Sequence, residues 1–246
     1  SLLVKNKNKA PIDGNKINIE IYFEESKKYF VNRINIFGNF ITEEKVIRNS
    51  LIVDEGDPYN KILFNKSINE IKSKGIFKSV TSEVNDSDSE NNSKIINITV
   101  EEKATGEIFA GAGTGTDGST ISGGIKEKNY LGKGIELDTN LTLSDDQIKG
   151  RFSVINPNFR NTDRSINVTI ESTASDFMTT SGYKTTRTGL KLGTSFEQYE
   201  DLFFNVDISN YYEKLETSSL ASAIKKKQEG DYFENLLSYS LTLNKL

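Results

Sequence analysis

The sequence has no cysteine, no histidine and no tryptophan, and only one methionine and three prolines. Without cysteine there is neither a disulfide nor a thiolate metal site, and the compartment stays open. Without histidine the commonest general base and the commonest metal ligand are both missing. No run of 18 apolar residues exists, which excludes a transmembrane helix but not a transmembrane barrel, whose strands alternate. Basic residues cluster only at Lys225–Lys227, and the net charge is 31 minus 35, or −4, so nucleic acid is not an expected partner. Hydrophobic residues make up 35% of the 246, fewer than a soluble globule of this size usually carries. The chain starts at Ser1 in mid-pattern, as a fragment does. No catalytic constellation stands out, so no catalytic residue, metal or cofactor is expected, and the protein is not read as an enzyme.

What is present is a change of period. Lys16 to Phe23, KINIEIYF, places Ile17, Ile19, Ile21 and Phe23 on one face of a strand. KIINITV, from Lys94, repeats that pattern, and each run closes in a pair of glutamates before a new strand. The two starts lie 94 minus 16, or 78, residues apart, so a repeat boundary falls near residue 26. Between the boundaries the order is β-α-α-β-β. Val31 to Phe37 is a strand turned by Gly38-Asn39. Thr42 is expected to cap a helix, with Glu43 and Glu44 at its positive end and Val46, Ile47 and Leu51 on its apolar side. A break at Glu55 to Pro58 leads to a second helix, with Phe64, Ile68 and Ile71 on one face and Gly75 as its stop. Phe77 to Val84 and Lys94 to Val100 are strands, separated by the polar loop NDSDSENNS.

Past Thr105 only period-two alternation remains. Leu137, Leu141 and Leu143 alternate with Asp138, Asn140 and Thr142, and the scheme recurs around Ile148, Ile166, Leu190, Leu202 and Leu237. With strands near Ile108 and Ile121, about eight fit, mostly of ~9 to 11 residues, the length that crosses a bilayer when tilted. The connections divide into long polar segments such as Glu213 to Glu234 and tighter turns, LGKG and NPNFRN. Unequal ends suit an outer-membrane barrel. A soluble β-sandwich alternates in the same way, and the pattern alone does not choose between them.

YFVNRINIFGNFITEEKVIRNSL, then EGDPYN, then the helix ending in GIF, resembles a polypeptide-transport-associated (POTRA) domain. EEKATGEIFAGAGTGTDGSTISGGIKEKNYLGKG and the later SVINPNF resemble the start of the barrel of a BamA-type outer-membrane-protein insertase. The likeness weakens after about Asp163. The terminal LNKL is similar to the turn after the eighth strand of that family. The resemblance implies an α+β POTRA domain followed by antiparallel transmembrane β-barrel strands. Residues 1–26 would end a preceding POTRA domain, 27–103 form the last one, and 104–246 form the N-terminal half of the barrel.

The same resemblance implies a function without an active site: assembly and insertion of β-barrel proteins into the outer membrane. The POTRA region would lie in the periplasm, and the partners would be unfolded outer-membrane proteins, accessory lipoproteins and outer-membrane lipid. The client strand would pair with the lateral-gate edge made by Gly106, Glu107, Ile108, Phe109, Ala110, Gly111, Ala112 and Gly113. A second pairing edge would be Phe77, Lys78, Ser79, Val80, Thr81, Ser82, Glu83 and Val84, with an ordinary half-solvated strand as its plainer reading. Competing readings are a TamA-type or two-partner-secretion translocator, a passive porin-like channel and an extracellular adhesin β-domain.

Three local patterns have their own alternatives. Gly113 to Gly118 matches a dinucleotide fingerprint, yet STISGGIKE after it alternates, so the required helix is missing. Glu101-Glu102 and Asp145-Asp146 are adjacent carboxylates; strand neighbours point to opposite faces, so neither pair acts jointly, and solvated turn residues are expected. Gly111, Gly113 and Gly115 share one face, which fits either a bend or close backbone approach, or a deliberately weak strand. Lys149, Arg151 and Lys191 are expected on the polar face of the barrel strands, towards the lumen.

Overall fold

The computed structural model describes residues 2–12, 16–25, 27–87, 92–115 and 118–243. It divides into two compact units, residues 1–38 with 50–101 and residues 39–49 with 102–246.

In the first unit, β1 (Leu2–Ile12) and β2 (Lys16–Glu25) form an antiparallel hairpin. β1 was not legible in advance, because its lysines and asparagines blur the alternation. A three-stranded sheet follows, ordered β3 (Phe30–Phe37), β5 (Ser93–Glu102), β4 (Phe77–Asp86), with β3 and β5 parallel. Helix α2 (Lys61–Ser73) is capped by the Asn60 side chain and packs against β4.

The expected stripe Phe64, Ile68 and Ile71 is buried, together with Ile96, Ile98 and Val100 on alternate positions of β5. Val31 and Ile34 share that core although they lie three apart, because a bulge between Val31 and Arg33 resets the register. Gly75 ends the helix at φ +67°, as read. Part of the NDSDSENNS loop, 88–91, lies outside the described residues.

In the second unit, α1 (Glu44–Arg48) is a single turn. Its N-cap is Glu43 and makes no side-chain capping bond, so the expected Thr42 cap is corrected. Eight antiparallel strands follow in meander order: β6 (Gly106–Gly115), β7 (Gly118–Tyr130), β8 (Ile135–Ser144), β9 (Gln147–Asn156), β10 (Arg164–Phe177), β11 (Tyr183–Tyr199), β12 (Leu202–Thr217) and β13 (Gly230–Leu243). A one-turn helix, α3 (Ala223–Lys227), stands between the last two. LNKL falls on 243–246, of which only Leu243 is among the described residues.

Two expectations need correction here. The last four strands have 14, 17, 16 and 14 residues, well beyond the length read from their apolar cores. Their polar ends keep pairing, out to Leu215 with Gly230, so both ends of the segment Glu213 to Glu234 are strand and its loop shrinks to 218–229. On that same end of the sheet the β10–β11 connection is only 178–182, and the β8–β9 connection only Asp145-Asp146. Loop inequality is therefore weaker than the sequence suggested.

In the first unit, packing itself requires glycine at position 38. Gly38 has φ +85°, and a Cβ there would lie 2.0 Å from the Val100 carbonyl oxygen. Gly56 has a similar φ of +93° but open space around it. Gly38→Ala should therefore destabilise this unit by more than the ~1–3 kcal/mol of backbone strain alone, and Gly56→Ala by no more than that. Urea-dependent proteolysis of the full-length protein measures the difference; equal effects would remove the packing argument.

Candidate functional site

One face of the eight-stranded sheet carries most of its exposed isoleucines and leucines, and the other carries its buried serines and threonines. Register places Ile121, Leu143, Ile148 and Ala174 on one face across four strands, and Ile170, Leu190 and Asn210 likewise. On that face Ile121 is 61% exposed, Ile148 55% and Leu241 64%. Ser153, Thr169, Ser175 and Ser209, all on the other face, are buried. Of the buried hydrophobic residues from 104 onwards, only Leu215 and Ala221 are found among the described residues. A water-soluble sandwich would bury the Ile and Leu side; this unit presents it to its surroundings, as membrane barrels do.

The polar face is tied by cross-strand pairs. Lys191 Nζ lies 3.2 Å from Asp207, Arg187 2.6 Å from Glu234, and Lys126 3.8 Å from Asp138. Tyr211 donates to Glu171 at 2.8 Å, with its ring over Gly189 and under the Arg187 guanidinium, 4.0 Å away. Lys149 and Arg151 face Thr142 and Asn140 across β8, and Lys191 faces Ser209, so all three lie on the expected face.

β6 and β13 are the two edges of this sheet; β6 is hydrogen-bonded to β7, and every residue from Gly106 to Gly115 is exposed, as nearly all of β13 is. Gly106, Ile108, Ala110 and Ala112 belong to the apolar face; Glu107, Phe109, Gly111 and Gly113 belong to the polar one. Gly113 and Gly115 have nothing within 4 Å of a Cβ position, so close backbone approach does not explain them. Lost side-chain packing does: the upper half of β6 is held by its ladder alone. The dinucleotide fingerprint falls across a strand hairpin, with Thr116 and Asp117 outside the described residues. Phe109 was not anticipated as distinctive; its ring covers Gly124, where a Cβ would meet it at 2.6 Å.

The base of β6 is the opposite of its tip. The Glu102 carboxylate accepts the backbone N–H groups of Phe40, Ile41 and Thr42 at 2.6–3.2 Å. Thr105 bonds the Glu127 carboxylate through its hydroxyl, and Glu127 also accepts the Asn129 N–H at 2.7 Å. The Asn129 side chain donates to Thr42 Oγ1 at 2.9 Å and accepts the Gly134 N–H at 2.8 Å. Gly132, at φ +72°, brings its turn close enough for its carbonyl to accept the Glu43 N–H at 2.8 Å; a Cβ there would strike the Ile41 oxygen. Thr42 and Asn129 are thus the buried polar pair of this cluster, and the sequence reading missed both roles.

Glu101 and Glu102 do point to different partners, since Glu101 takes Lys78 at 2.6 Å and Ser79 at 3.1 Å. They are strand residues with defined bonds, which corrects the solvated-turn expectation. Asp145 does sit in a turn, where it accepts the Ser119 N–H at 3.1 Å. β4, the other sequence-predicted site, is an edge of its own sheet, with Phe77 and Val80 buried and Lys78, Ser79, Thr81, Ser82 and Glu83 exposed. β4 and β6 belong to separate sheets.

Residues 129–246 match the Omp85 superfamily domain, and residues 29–103 match POTRA, described as a surface antigen variable number repeat. The chain is 24% identical over 197 residues to the outer membrane protein assembly factor BamA of Neisseria meningitidis, covering 77% of this chain and 25% of that protein. It is 26% identical over 244 residues to BamA of Neorickettsia risticii, covering 96% and 32%. It therefore spans about a quarter to a third of the length of these relatives. In fold it is similar to Haemophilus ducreyi BamA lacking POTRA domains 1-3, with a TM-score of 0.70 at 19% identity, covering 98% of this chain and 48% of that one. It is also similar to CdiB of Acinetobacter baumannii, with a TM-score of 0.53 at 12% identity, covering 91% and 43%.

The Glu102 bonds carry a pH dependence. Burial pushes its pKa up, but the hydrogen bonds from Thr42, Ile41 and Phe40 outweigh this and hold it below the usual 4.5. A depressed carboxyl stabilises above its unfolded pKa and loses that contribution as pH falls through the folded value. Amide exchange at Phe40 to Thr42 should be slow at neutral pH and lose its extra protection below about pH 4.5. Glu102→Gln should accelerate it by about tenfold or more at pH 7. Unchanged exchange in that variant would show that the carboxylate does not hold the segment.

Proposed function

We propose that this chain, a POTRA domain joined to an Omp85 superfamily domain, works in the assembly of β-barrel proteins into the outer membrane. The observation that carries this reading is the eight-stranded meander with one apolar, exposed face, whose first strand β6 is held firmly at its base and by backbone pairing alone above. Unpaired strand edges in lipid are costly, so an incoming strand that pairs with β6 gains both its own hydrogen bonds and those of the edge. This is strand addition, with main-chain bonds giving affinity and little demand on client sequence. Gly106 to Gly113 would form the pairing edge, and the gain in client folding would drive the step without a nucleotide, cofactor or catalytic residue.

On this reading the apolar face sits in outer-membrane lipid and the POTRA region in the periplasm. Clients are unfolded outer-membrane proteins, received in part by the β4 edge from Phe77 to Val84, and accessory lipoproteins are further partners. Residues 1–26 would end a preceding POTRA domain, 27–103 would form the last one, and 104–246 the N-terminal half of the barrel. The likeness to CdiB supports a second reading, a two-partner-secretion translocator with the same architecture.

Depleting the full-length protein separates the two. The assembly reading expects several unrelated outer-membrane barrels to fall together; loss of one secreted partner with normal barrel levels would favour the translocator. Cysteines placed at Ile108 or Ala110 should crosslink to a stalled client strand. Adducts confined to other strands would sink the edge-pairing role.

A further inference from the structure

A cavity of 210 Å³ lies at the end of the sheet where β7 turns into β8 and β9 leads into the turn 157–163. Lys45, Lys133 and Arg160 line it, with asparagines, and no carboxylate does. Glu43 offsets one charge by pairing with Lys45 at 2.5 Å, while Lys133 and Arg160 hold no ion pair among the described residues. The 250 Å³ cavity on the polar face is different, because there Lys126, Lys128 and Arg151 are matched by Glu127, Glu136 and Asp138. A net positive lining therefore distinguishes the first cavity.

Its location gives the ligand class. Ile135, in the lining, opens β8 on the apolar face, in register with Tyr130, which is 44% exposed. Asn156 closes β9 in register with Ile166 of the same face. Leu131 and Phe159, also exposed, flank the two turns. The cationic cavity thus begins where the apolar band stops. Arg160 and Asn161 take φ +56° and +58°, a left-handed pair kept by the Asn161 and Thr162 N–H bonds to Asn158 and Phe159 carbonyls. Arginine is not favoured in that conformation, so the turn holds it there at a cost in strain.

We infer that this cavity binds the phosphodiester of an anionic phospholipid, with the acyl chains lying along the Ile135 and Leu137 side of β8. Its volume is below the roughly 300–1,000 Å³ of pockets that enclose drug-sized ligands, so it takes a headgroup and leaves the chains outside. Lysine and arginine at such a rim are attracted to anionic headgroups, and asparagine amides donate to phosphate oxygens. The inference rests on the membrane reading of the apolar face, and is independent of which clients the protein assembles.

The test is binding of short-chain phosphatidylglycerol to the full-length protein in nonionic detergent, read by native mass spectrometry at fixed salt. Phosphatidylglycerol should bind more tightly than phosphatidylcholine, and Lys133→Gln with Arg160→Gln should weaken it about ten- to thirtyfold. Lys133→Arg should retain it, and Lys225→Gln, Lys226→Gln and Lys227→Gln together should leave it unchanged. The proposal is overturned if the double variant binds as before, if the triple variant weakens binding equally, or if phosphatidylcholine binds as well. Displacement by equimolar inorganic phosphate would assign the site to soluble phosphate and overturn the lipid proposal. Failure of the protein to enter phospholipid vesicles would instead overturn the membrane reading beneath it. Both substituted side chains are exposed, and an unchanged β-sheet circular dichroism spectrum confirms that the variants fold.

Discussion

Backbone pairing without an apolar core is the constraint on which the second unit depends. Strands β6 to β13 join their neighbours by hydrogen bonds along one continuous ladder, while most of the exposed Ile and Leu side chains point away from the buried serines and threonines. In water each such side chain forgoes up to ~1.5–3 kcal/mol of burial, which a soluble domain would not sustain over eight strands. In hydrocarbon the sign changes, and unmet backbone groups become the dominant cost. The first unit obeys the opposite rule. Its helix stripe and β5 close over an ordinary core, and its charged residues face solvent.

In the proposed function β6 would work through its backbone more than through its side chains. Glycine and alanine leave little to pack, so the strand's contribution is its row of N–H and C=O groups. The Glu102, Thr42 and Asn129 bonds fix where the row begins, and the glycines leave its far end held by fewer interactions. A firm origin and a loose end suit the proposed pairing of an incoming strand in a defined register.

Much of this was legible in the sequence. Alternation after Thr105 located eight strands, and the spacing of Phe64, Ile68 and Ile71 located a helix face, because both signals are local and periodic. The β6 edge came from glycine spacing and from resemblance together. The bonds at its base were not legible. Asn129 and Thr42 lie 87 residues apart, and nothing in either neighbourhood marks a polar residue that will be buried. Thr42 sits before two glutamates, where a helix cap is the natural reading, and its hydroxyl is instead taken by Asn129. Strand ends were misjudged for a related reason, since polar residues continue the ladder without an apolar marker. The basic cavity escaped notice because Lys45, Lys133 and Arg160 are scattered singly along the chain.

Gly189 and Tyr211 have a consequence for how this surface can change over generations. A Cβ on Gly189 would lie 2.2 Å from the Tyr211 ring, so even alanine must displace the aromatic. Displacing it removes the Glu171 hydrogen bond and the Arg187 stack at once. Replacing Tyr211 first leaves Glu171 without the phenol and a gap above bare backbone. Either single step is disfavoured while the double change is open, so the two positions should drift together, as a pair inherited jointly. The polar wall can then vary in composition only along a few ordered routes.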